Sequence, residues 1–462
     1  MSEKQSIDLK VTFYGGKWMA LVPFIVFITG VIAIALSGAP DEKGFWPILV
    51  LALGIGLLLS QNKKTYSESV LKGMSDPMVM IMITAWILAS IIGILMAETG
   101  FVQALAWLAS TLNLGSTTFI VAAFIICCVV SLSTGSSFAT ILICGPLLYP
   151  AGGALGGHLP TLAGAILAGA TFGDFFAPIS DTTIASALSQ KAEIGPTVRS
   201  RIKYIIPASI MSLICIVISA YLQEGNLAAE AIENHGSPQG LLMLLVPILI
   251  IYLFLKGKHL FHGLMMGLLF GTALGLVSGL LPLKEILSLD LDNMVAQSFI
   301  IKGINRSVGL SIFTILLMGM VGTLKASGVF DELINYAQDK GSQPRHSEGW
   351  IAGMAGIAVL LTTHSIVAIL MVSEFTNKVG QKWKIPPIRR SNILSVVVCI
   401  FPFLLPYFIP VILMSSMTGT AEDIGIPNVS PLLVGFHNFL AWGLIPVIIA
   451  MVFFGFGRKQ DG

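Results

Sequence analysis

Apolar runs divide this chain into candidate spans at about 18–37, 45–60, 77–97, 117–133, 136–150, 161–190, 202–222, 240–255, 261–283, 307–326, 350–377, 391–414 and 433–455. A helix needs roughly 20 apolar residues to cross the hydrocarbon core of a bilayer. The polar gaps are short: the longest are the tail before Lys17 and loops of about 15–20 residues. No sizeable soluble domain fits between the runs. The pattern predicts an all-α polytopic membrane protein of about 10–12 transmembrane helices.

Composition agrees. Of 462 residues, 55% are hydrophobic and 11% charged, against about 25% charged in a soluble domain. No lysine or arginine stands between Lys72 and Lys191. The net charge of +2 gives no reason to expect nucleic acid as a partner. Cys127, Cys128, Cys144, Cys215 and Cys399 all lie in apolar runs. They read as small core residues, not as a disulfide set or a metal site. The start M-S-E-K-Q-S-I-D-L-K is polar and no A-x-A-like site follows the first apolar run, so no cleavable signal peptide is expected.

Basic residues assign sides, because Lys and Arg accumulate in cytoplasmic loops. Lys4, Lys10, Lys17, Lys63, Lys64 and Lys72 can share that face. So can Lys191, Arg199, Arg201, Lys203, Lys256, Lys258, Lys325, Lys340 and Arg345. Lys378, Lys382, Lys384, Arg389, Arg390, Arg458 and Lys459 can share it too. The loops Glu224-to-Gln239 and Thr418-to-Pro431 hold neither residue type and fall opposite. The exception is Lys284-to-Arg306, where Lys284, Lys302 and Arg306 would lie outside. Both termini are then cytoplasmic and the membrane is the inner one. The assignment requires 117–150 and 350–377 each to enter and leave on one side, as a hairpin or a span plus a re-entrant segment.

An internal repeat fits that topology. Glu98-Thr99-Gly100-Phe101-Val102 resembles Ala326-Ser327-Gly328-Val329-Phe330. Ser133-Thr134-Gly135-Ser136-Ser137-Phe138-Ala139 resembles Thr362-Thr363-His364-Ser365-Ile366-Val367-Ala368. Phe172-Gly173-Asp174 through Pro178 resembles Phe401-Pro402-Phe403 through Pro406. The pairs share an offset of 228 or 229 residues, close to half the chain. With the loop charges, matched segments run in opposite directions, as in inverted-topology transporters that bind near the midplane at broken helices.

Asp174 stands where lipid tolerates a carboxylate poorly. It lies in G-A-T-F-G-D-F-F-A-P-I-S-D-T-T, Gly169 to Thr183. A helix up to that point carries it about 20 Å along the segment, well within a core of roughly 30 Å. Such a residue reads as an ion or proton site lined by protein. Gly173 and Pro178 flank it and predict a broken helix. Carboxylate, hydroxyl and freed carbonyl oxygens suit a hard cation such as sodium. The candidate ion ligands are therefore Asp174, Asp181, Thr171, Ser180, Thr182 and Thr183. Burial also favours the neutral form of a carboxyl group, so one aspartate can hold sodium and a proton in turn. The competing readings of Asp174 are a buried basic partner, for which no lysine or arginine lies deep in a nearby span, and a half-helix cap. Asp181 reads equally as an ion ligand and as a helix N-cap.

A second cluster, Ser131, Ser133, Thr134, Gly135, Ser136, Ser137 and Thr140, sits between two apolar runs. Its freed amides and hydroxyls can face a ligand, or its small residues can pack helices and bond internally. Its repeat-mate holds Thr362, Thr363, His364 and Ser365. His364 reads as a neutral hydrogen-bonded residue or a proton carrier, and Glu374 as interfacial. Gly164, Ala165, Ala168 and Gly169 read as packing. Pro402, Pro406 and Pro410 break the second crossing among Phe401, Phe403 and Tyr407, with no carboxylate. One half-site is acidic and the other apolar and aromatic. Candidate substrate contacts are Ser133, Thr134, Ser136, Ser137, Thr362, Thr363, His364, Ser365, Phe403 and Tyr407.

The run Gly173-Asp174-Phe175-Phe176-Ala177-Pro178-Ile179-Ser180-Asp181-Thr182-Thr183 resembles the G-D-x-x-S/A-P-x-S-D-T-T signature of the NhaC-type sodium/proton antiporter family. Ser133-Thr134-Gly135-Ser136-Ser137 resembles that family's G-T-S-rich turn, and the hydrophobic profile and repeat extend the resemblance over most of the chain. It implies the ion-transporter superfamily fold: two inverted repeats, at 1–225 and 226–462, each with a re-entrant hairpin and a broken helix. It also implies Asp174 and Asp181 as sodium ligands. Where many members carry an acidic L-E-D-like patch, this chain reads Ser391-Asn392-Ile393-Leu394-Ser395-Val396.

The expectation is a secondary active transporter, a sodium/proton antiporter using an intramembrane aspartate. The alternative is a sodium- or proton-coupled transporter or exchanger of an organic acid, amino acid or other small organic solute. No haem-ligand His pair, Cys cluster or Gly-rich nucleotide loop points to an enzyme, and the repeat and broken helices argue against a channel. No cofactor is expected beyond sodium ions and protons. Expected partners are membrane lipids, the cation and, in the alternative, the organic solute; a homodimer is left open.

Overall fold

The computed structural model describes residues 10–36, 42–101, 103–104, 107, 111, 115–178, 180–223, 238–256, 258–290, 295–329, 332 and 344–458. In chain order its helices begin with α1 (Val22–Leu36), α2 (Phe45–Leu59), α3 (Lys63–Met74) and α4 (Pro77–Glu98). Next come α5 (Ser116–Thr134), α6 (Ser137–Ala154), α7 (Leu159–Phe176), α8 (Asp181–Ser189) and α9 (Ile194–Leu222). The second half holds α10 (Leu245–Leu255), α11 (Leu260–Val277), α12 (Leu283–Ile286) and α13 (Phe299–Ala326). It continues with α14 (Pro344–Thr362), α15 (Ser365–Lys382), α16 (Pro387–Val398) and α17 (Ile409–Thr418). It closes with α18 (Pro431–Phe436) and α19 (Phe439–Phe454). An antiparallel ribbon pairs β1 (Ser288–Asp290) with β2 (Val295–Gln297).

Among the described residues, 8 helical segments are long and apolar enough to cross a membrane, and Phe45–Leu59, Pro238–Leu253 and Phe439–Phe454 are shorter apolar helices. The chain is an all-α polytopic membrane protein. The second crossing around Pro402 adds no long span, because it is divided into α16 and α17. Of the loops used to assign sides, residues 224–237 lie outside the described residues, as do Lys4, Lys340 and Lys459.

α5 and α6 form a helical hairpin. Gly135 ends α5 at φ 66°, a left-handed conformation that glycine adopts without steric cost, and its N–H returns to Ser131 O at 2.8 Å. Ser136 caps α6, its Oγ accepting from Ala139 N at 3.3 Å. α7 lies against both arms. Gly157 meets Ile120, Gly169 meets Phe124 and Cys127, and Gly173 meets Ser131, so α5 and α7 run the same way. On α6, Gly152 meets Leu162 while Ser137 meets Asp174, so α6 runs back. The hairpin tip is therefore level with Asp174. Small residues on α7 permit this approach: a Cβ on Gly173 would overlap Ser131, whose Oγ donates to Ala170 O at 2.7 Å.

The construction recurs after 228 positions: α5 begins at Ser116 and α14 at Pro344 (344 less 116), α6 at Ser137 and α15 at Ser365, α7 at Leu159 and α16 at Pro387, α8 at Asp181 and α17 at Ile409. Thr363, at φ 54°, takes the place of Gly135, one residue before the His364 that the sequence match set opposite it, because the helix starts recur at 228 and not 229. His364 (φ −140°, ψ 119°) copies the cap geometry of Ser136 (φ −140°, ψ 120°). Ser365 Oγ donates to Val398 O at 3.0 Å, so the second tip also meets its broken crossing.

The halves exchange partners. α8 packs on the second hairpin, where Asn377 Nδ2 donates to Ser189 O at 2.7 Å and Gln190 Nε2 to Ser373 O at 3.4 Å. α17 packs on the first hairpin, with Met414 and Met417 against Gly145.

Charges refine the sequence reading. In the exceptional stretch, Lys302 reaches Glu98 at 2.6 Å and Glu285 at 3.8 Å, and Arg306 reaches Asp423 at 3.4 Å. Neighbouring acids thus offset those cations. Three arginines read as loop charges are buried in helices instead: Arg201 in α9, and Arg389 and Arg390 at the start of α16. The reason is that helical hydrogen bonding begins before the apolar run does. Thr197, Arg201, Tyr204, Ile205 and Ala208 form one buried face of α9.

Candidate functional site

α7 continues past Gly173 to Phe176, and the crossing breaks over Ala177–Ser180, where Ala177 and Ser180 are extended and Pro178 cannot continue the ladder. Gly173 serves close packing rather than the break itself. The last carbonyls of α7 must find donors elsewhere. Ala177 N donates to Gly173 O at 2.8 Å. Ser180 Oγ and Thr182 Oγ1 donate to Asp174 O at 3.1 and 2.5 Å. Arg201 Nη1 donates to Phe175 O at 2.8 Å.

The Asp174 side chain, half-buried, points at the first hairpin tip. It accepts from Ser137 Oγ at 2.6 Å and Ser137 N at 3.2 Å. The N–H belongs to the first turn of α6, whose amide end favours negative charge. Among the described residues Asp174 forms no ion pair. No three His, Cys, Asp or Glu side chains among the described residues cluster as a metal site. A cation at Asp174 would rest on one carboxylate and neutral oxygens, a donor set that suits a monovalent ion able to leave again.

The structure thus gathers Asp174, Ser137, Ser180 and Thr182. Ser180 takes the N-cap position of α8, and Asp181 is its first residue, with an exposed side chain. Thr183 Oγ1 accepts from Arg201 Nη1 at 2.8 Å. Thr171 Oγ1 donates to Leu167 O at 2.8 Å and accepts from Asn438 Nδ2 at 3.0 Å. At the tip, Ser133 Oγ bonds back to Val129 O at 2.7 Å, and Thr134 and Ser136 bond within the turn. These three hydroxyls are not brought to the carboxylate.

In the second half-site, Thr362 Oγ1 bonds back to Ala358 O at 2.7 Å, and Thr363 Oγ1 to Thr362 O at 2.7 Å. Among the described residues, His364 Nδ1 is buried without a hydrogen-bond partner. Phe403 presents its carbonyl to Asn438 Nδ2 at 3.0 Å. Tyr407 packs edge-on against Phe24 and Phe27 of α1 and lines an apolar cavity of about 440 Å³ with Val31, Leu360 and Leu405. Asp174 does not line that cavity.

Sequence reading missed two residues. Asn438, fully buried, ties Thr171 of the first crossing to Phe403 of the second. Its signal was weak: one amide in an apolar run. Arg201 was detectable by extending the helical period of 202–222 back into the basic stretch.

Residues 3–221 match the model of the Na+/H+ antiporter family. A malate-2H(+)/Na(+)-lactate antiporter of Bacillus subtilis (strain 168) is 28% identical over 216 residues, 45% of this chain and 46% of its own length. The match with that relative thus spans about half its length. An Na(+)/H(+) antiporter NhaC of Alkalihalophilus pseudofirmus is 23% identical over 358 residues, 74% of this chain and 76% of its own. An Na(+)/H(+) antiporter NhaC of Bacillus subtilis (strain 168) is 32% identical over 113 residues, 24% of each chain.

Proposed function

We propose, for a chain whose residues 3–221 match the Na+/H+ antiporter family model and which is similar to NhaC antiporters, that it exchanges sodium for protons at Asp174. The observation that carries this is the carboxylate itself. It sits at the meeting of a hairpin tip and a broken helix, held by Ser137 and free of any ion pair among the described residues. Sodium binds the ionised carboxylate with nearby neutral oxygens. A proton replaces it when the site faces the other side. The protein is a transporter, not an enzyme, and needs no cofactor beyond those ions.

Two repeats, 1–225 and 226–462, in inverted topology supply alternating access. The recurring helix starts support the repeat, and the exchanged packing supports the inversion. α7 climbs from the base of the first hairpin to its tip, and α8 continues to Ser189, beside Asn377 near the base of the second. The two hairpins then enter from opposite faces. Lys191 and Lys384 lie on the face that Ser189 reaches, which we assign to the cytoplasm, along with both termini, in the inner membrane.

A second reading, coupled exchange of an organic acid, has one specific observation behind it. A cavity of about 590 Å³ is lined by Lys10, Lys72 and Lys325 against Asp76, an excess of positive charge that suits a carboxylate better than sodium. A relative whose name includes malate and lactate fits this reading.

Purified protein in liposomes with an enclosed pH dye tests both. Sodium, but not potassium, should move protons, and Asp174→Asn should abolish this while the protein stays folded and melts no lower, because the variant buries no charge. Wild-type rates in Asp174→Asn refute the site. Sodium-stimulated uptake of a carboxylate would put the second reading first.

A further inference from the structure

Arg201 is 0% exposed, yet among the described residues it forms no ion pair. Every hydrogen bond it donates to the described residues ends on an uncharged oxygen. Nη1 reaches Phe175 O and Thr183 Oγ1, both at 2.8 Å. Nη2 reaches Ser186 Oγ at 2.9 Å, Ser395 Oγ at 2.7 Å and Ser391 Oγ at 3.5 Å, and Nε reaches Asn392 Oδ1 at 3.2 Å. The first three acceptors flank the break between α7 and α8. The last three lie on α16 of the second half.

A buried cation without a counter-charge is costly, and a neutral side chain would pack there more cheaply. Two things offset the cost: the crowd of oxygens, and the negative C-terminal end of α7. Phe175, whose carbonyl it holds, directly follows Asp174. The charge is thus anchored to the backbone one residue along the chain from Asp174, with no bond to the carboxylate itself. The planar fork also spans two crossings at once, which a lysine ammonium cannot do.

We propose that Arg201 is a positioning residue of the transport site. It is a fixed cation that completes the broken end of α7, ties it to α16, and keeps the neighbouring carboxylate from holding sodium too tightly. The last clause rests on the sodium/proton reading of Asp174; the tie does not.

Arg201→Gln and Arg201→Lys separate charge from span. In liposomes, Arg201→Gln should lower the KM for sodium about tenfold, through loss of a nearby like charge, with a lower maximum rate. Arg201→Lys keeps the charge and should keep the KM. Hydrogen–deuterium exchange reads the tie: residues 391–398 should lose protection in both variants. Ser395→Ala, a milder change, should loosen the same segment if either arginine variant fails to fold. An unchanged KM in Arg201→Gln, or the same KM in both variants, overturns the electrostatic role. Unchanged protection of 391–398 overturns the tie. If wild-type protein shows no sodium-dependent exchange, the antiport reading fails and the exchange protection still decides the tie.

Discussion

Replacing Asn438 should loosen the joint between the two broken crossings. The side chain is fully buried and makes three hydrogen bonds among the described residues. Nδ2 donates to Phe403 O and Thr171 Oγ1, each at 3.0 Å, and Oδ1 accepts from Ala441 N at 3.3 Å as the N-cap of α19. Asn438→Ala removes the cap, at about 1 kcal/mol. It also leaves the buried Phe403 carbonyl without this donor, at about 1–3 kcal/mol. Thr171 keeps its own bond to Leu167 O and adds little. The expected loss is roughly 2–4 kcal/mol. Thermal melting in detergent micelles can follow it with a thiol-reactive dye, because Cys127, Cys144 and Cys399 are buried and react only on unfolding. Asn438→Ser restores a cap and should recover about 1 kcal/mol. Asn438→Leu keeps the bulk and should melt near the alanine variant. If Asn438→Leu melts like wild type, the side chain only fills space and the joint is refuted.

Three further outcomes are expected. Ser137→Ala removes the 2.6 Å bond to the Asp174 carboxyl group, so half-maximal exchange should need on the order of tenfold more sodium; an unchanged requirement counts against the site. Glu348, 1% exposed, holds Arg389 at 3.2 Å and Arg458 at 2.9 Å. Glu348→Gln should cost about 3–5 kcal/mol by removing the counter-charge of the buried Arg389, and Arg458→Gln, at a part-exposed side chain, about 1 kcal/mol or less; the reverse order in melting experiments would contradict the buried pair. In a chain without its native cysteines, thiols placed at Lys191 and Lys384 should label from one side of the membrane and a thiol at Asp423 from the other. Labelling of the first two from opposite sides would end the inverted-repeat proposal.

The spans were legible because long apolar runs have few alternatives in lipid. The recurrence of helix starts was only partly legible: two of the three short matches were one residue out of register, setting Gly135 opposite His364, whereas Thr363 shares its positive φ. The buried arginines were not legible. A basic cluster beside an apolar run looks the same whether it is a loop or the first turns of a helix, and only the phase of α9 turns Arg201 inward. The tip hydroxyls posed the same difficulty. Ser133, Thr134, Ser136 and Ser137 are alike in sequence, but helix phase directs Ser137 alone of these four to Asp174, and the others bond locally.

The exchanged packing has a consequence for synthesis. Ser189 finds its partner Asn377 188 residues later, which at roughly 5–20 residues per second means a wait of about 10–40 s on the ribosome. Until then the end of α8 has no platform, and the face of α6 around Gly145 waits still longer for Met414 and Met417. The first half can enter the bilayer as it emerges, and Ser137, Ser180 and Thr182 can gather at Asp174, but α8 and α6 lack their packing partners from the second half. Translation must finish most of the second half before the first becomes native, so a truncated or stalled chain leaves an open, quality-control-sensitive intermediate rather than half a transporter.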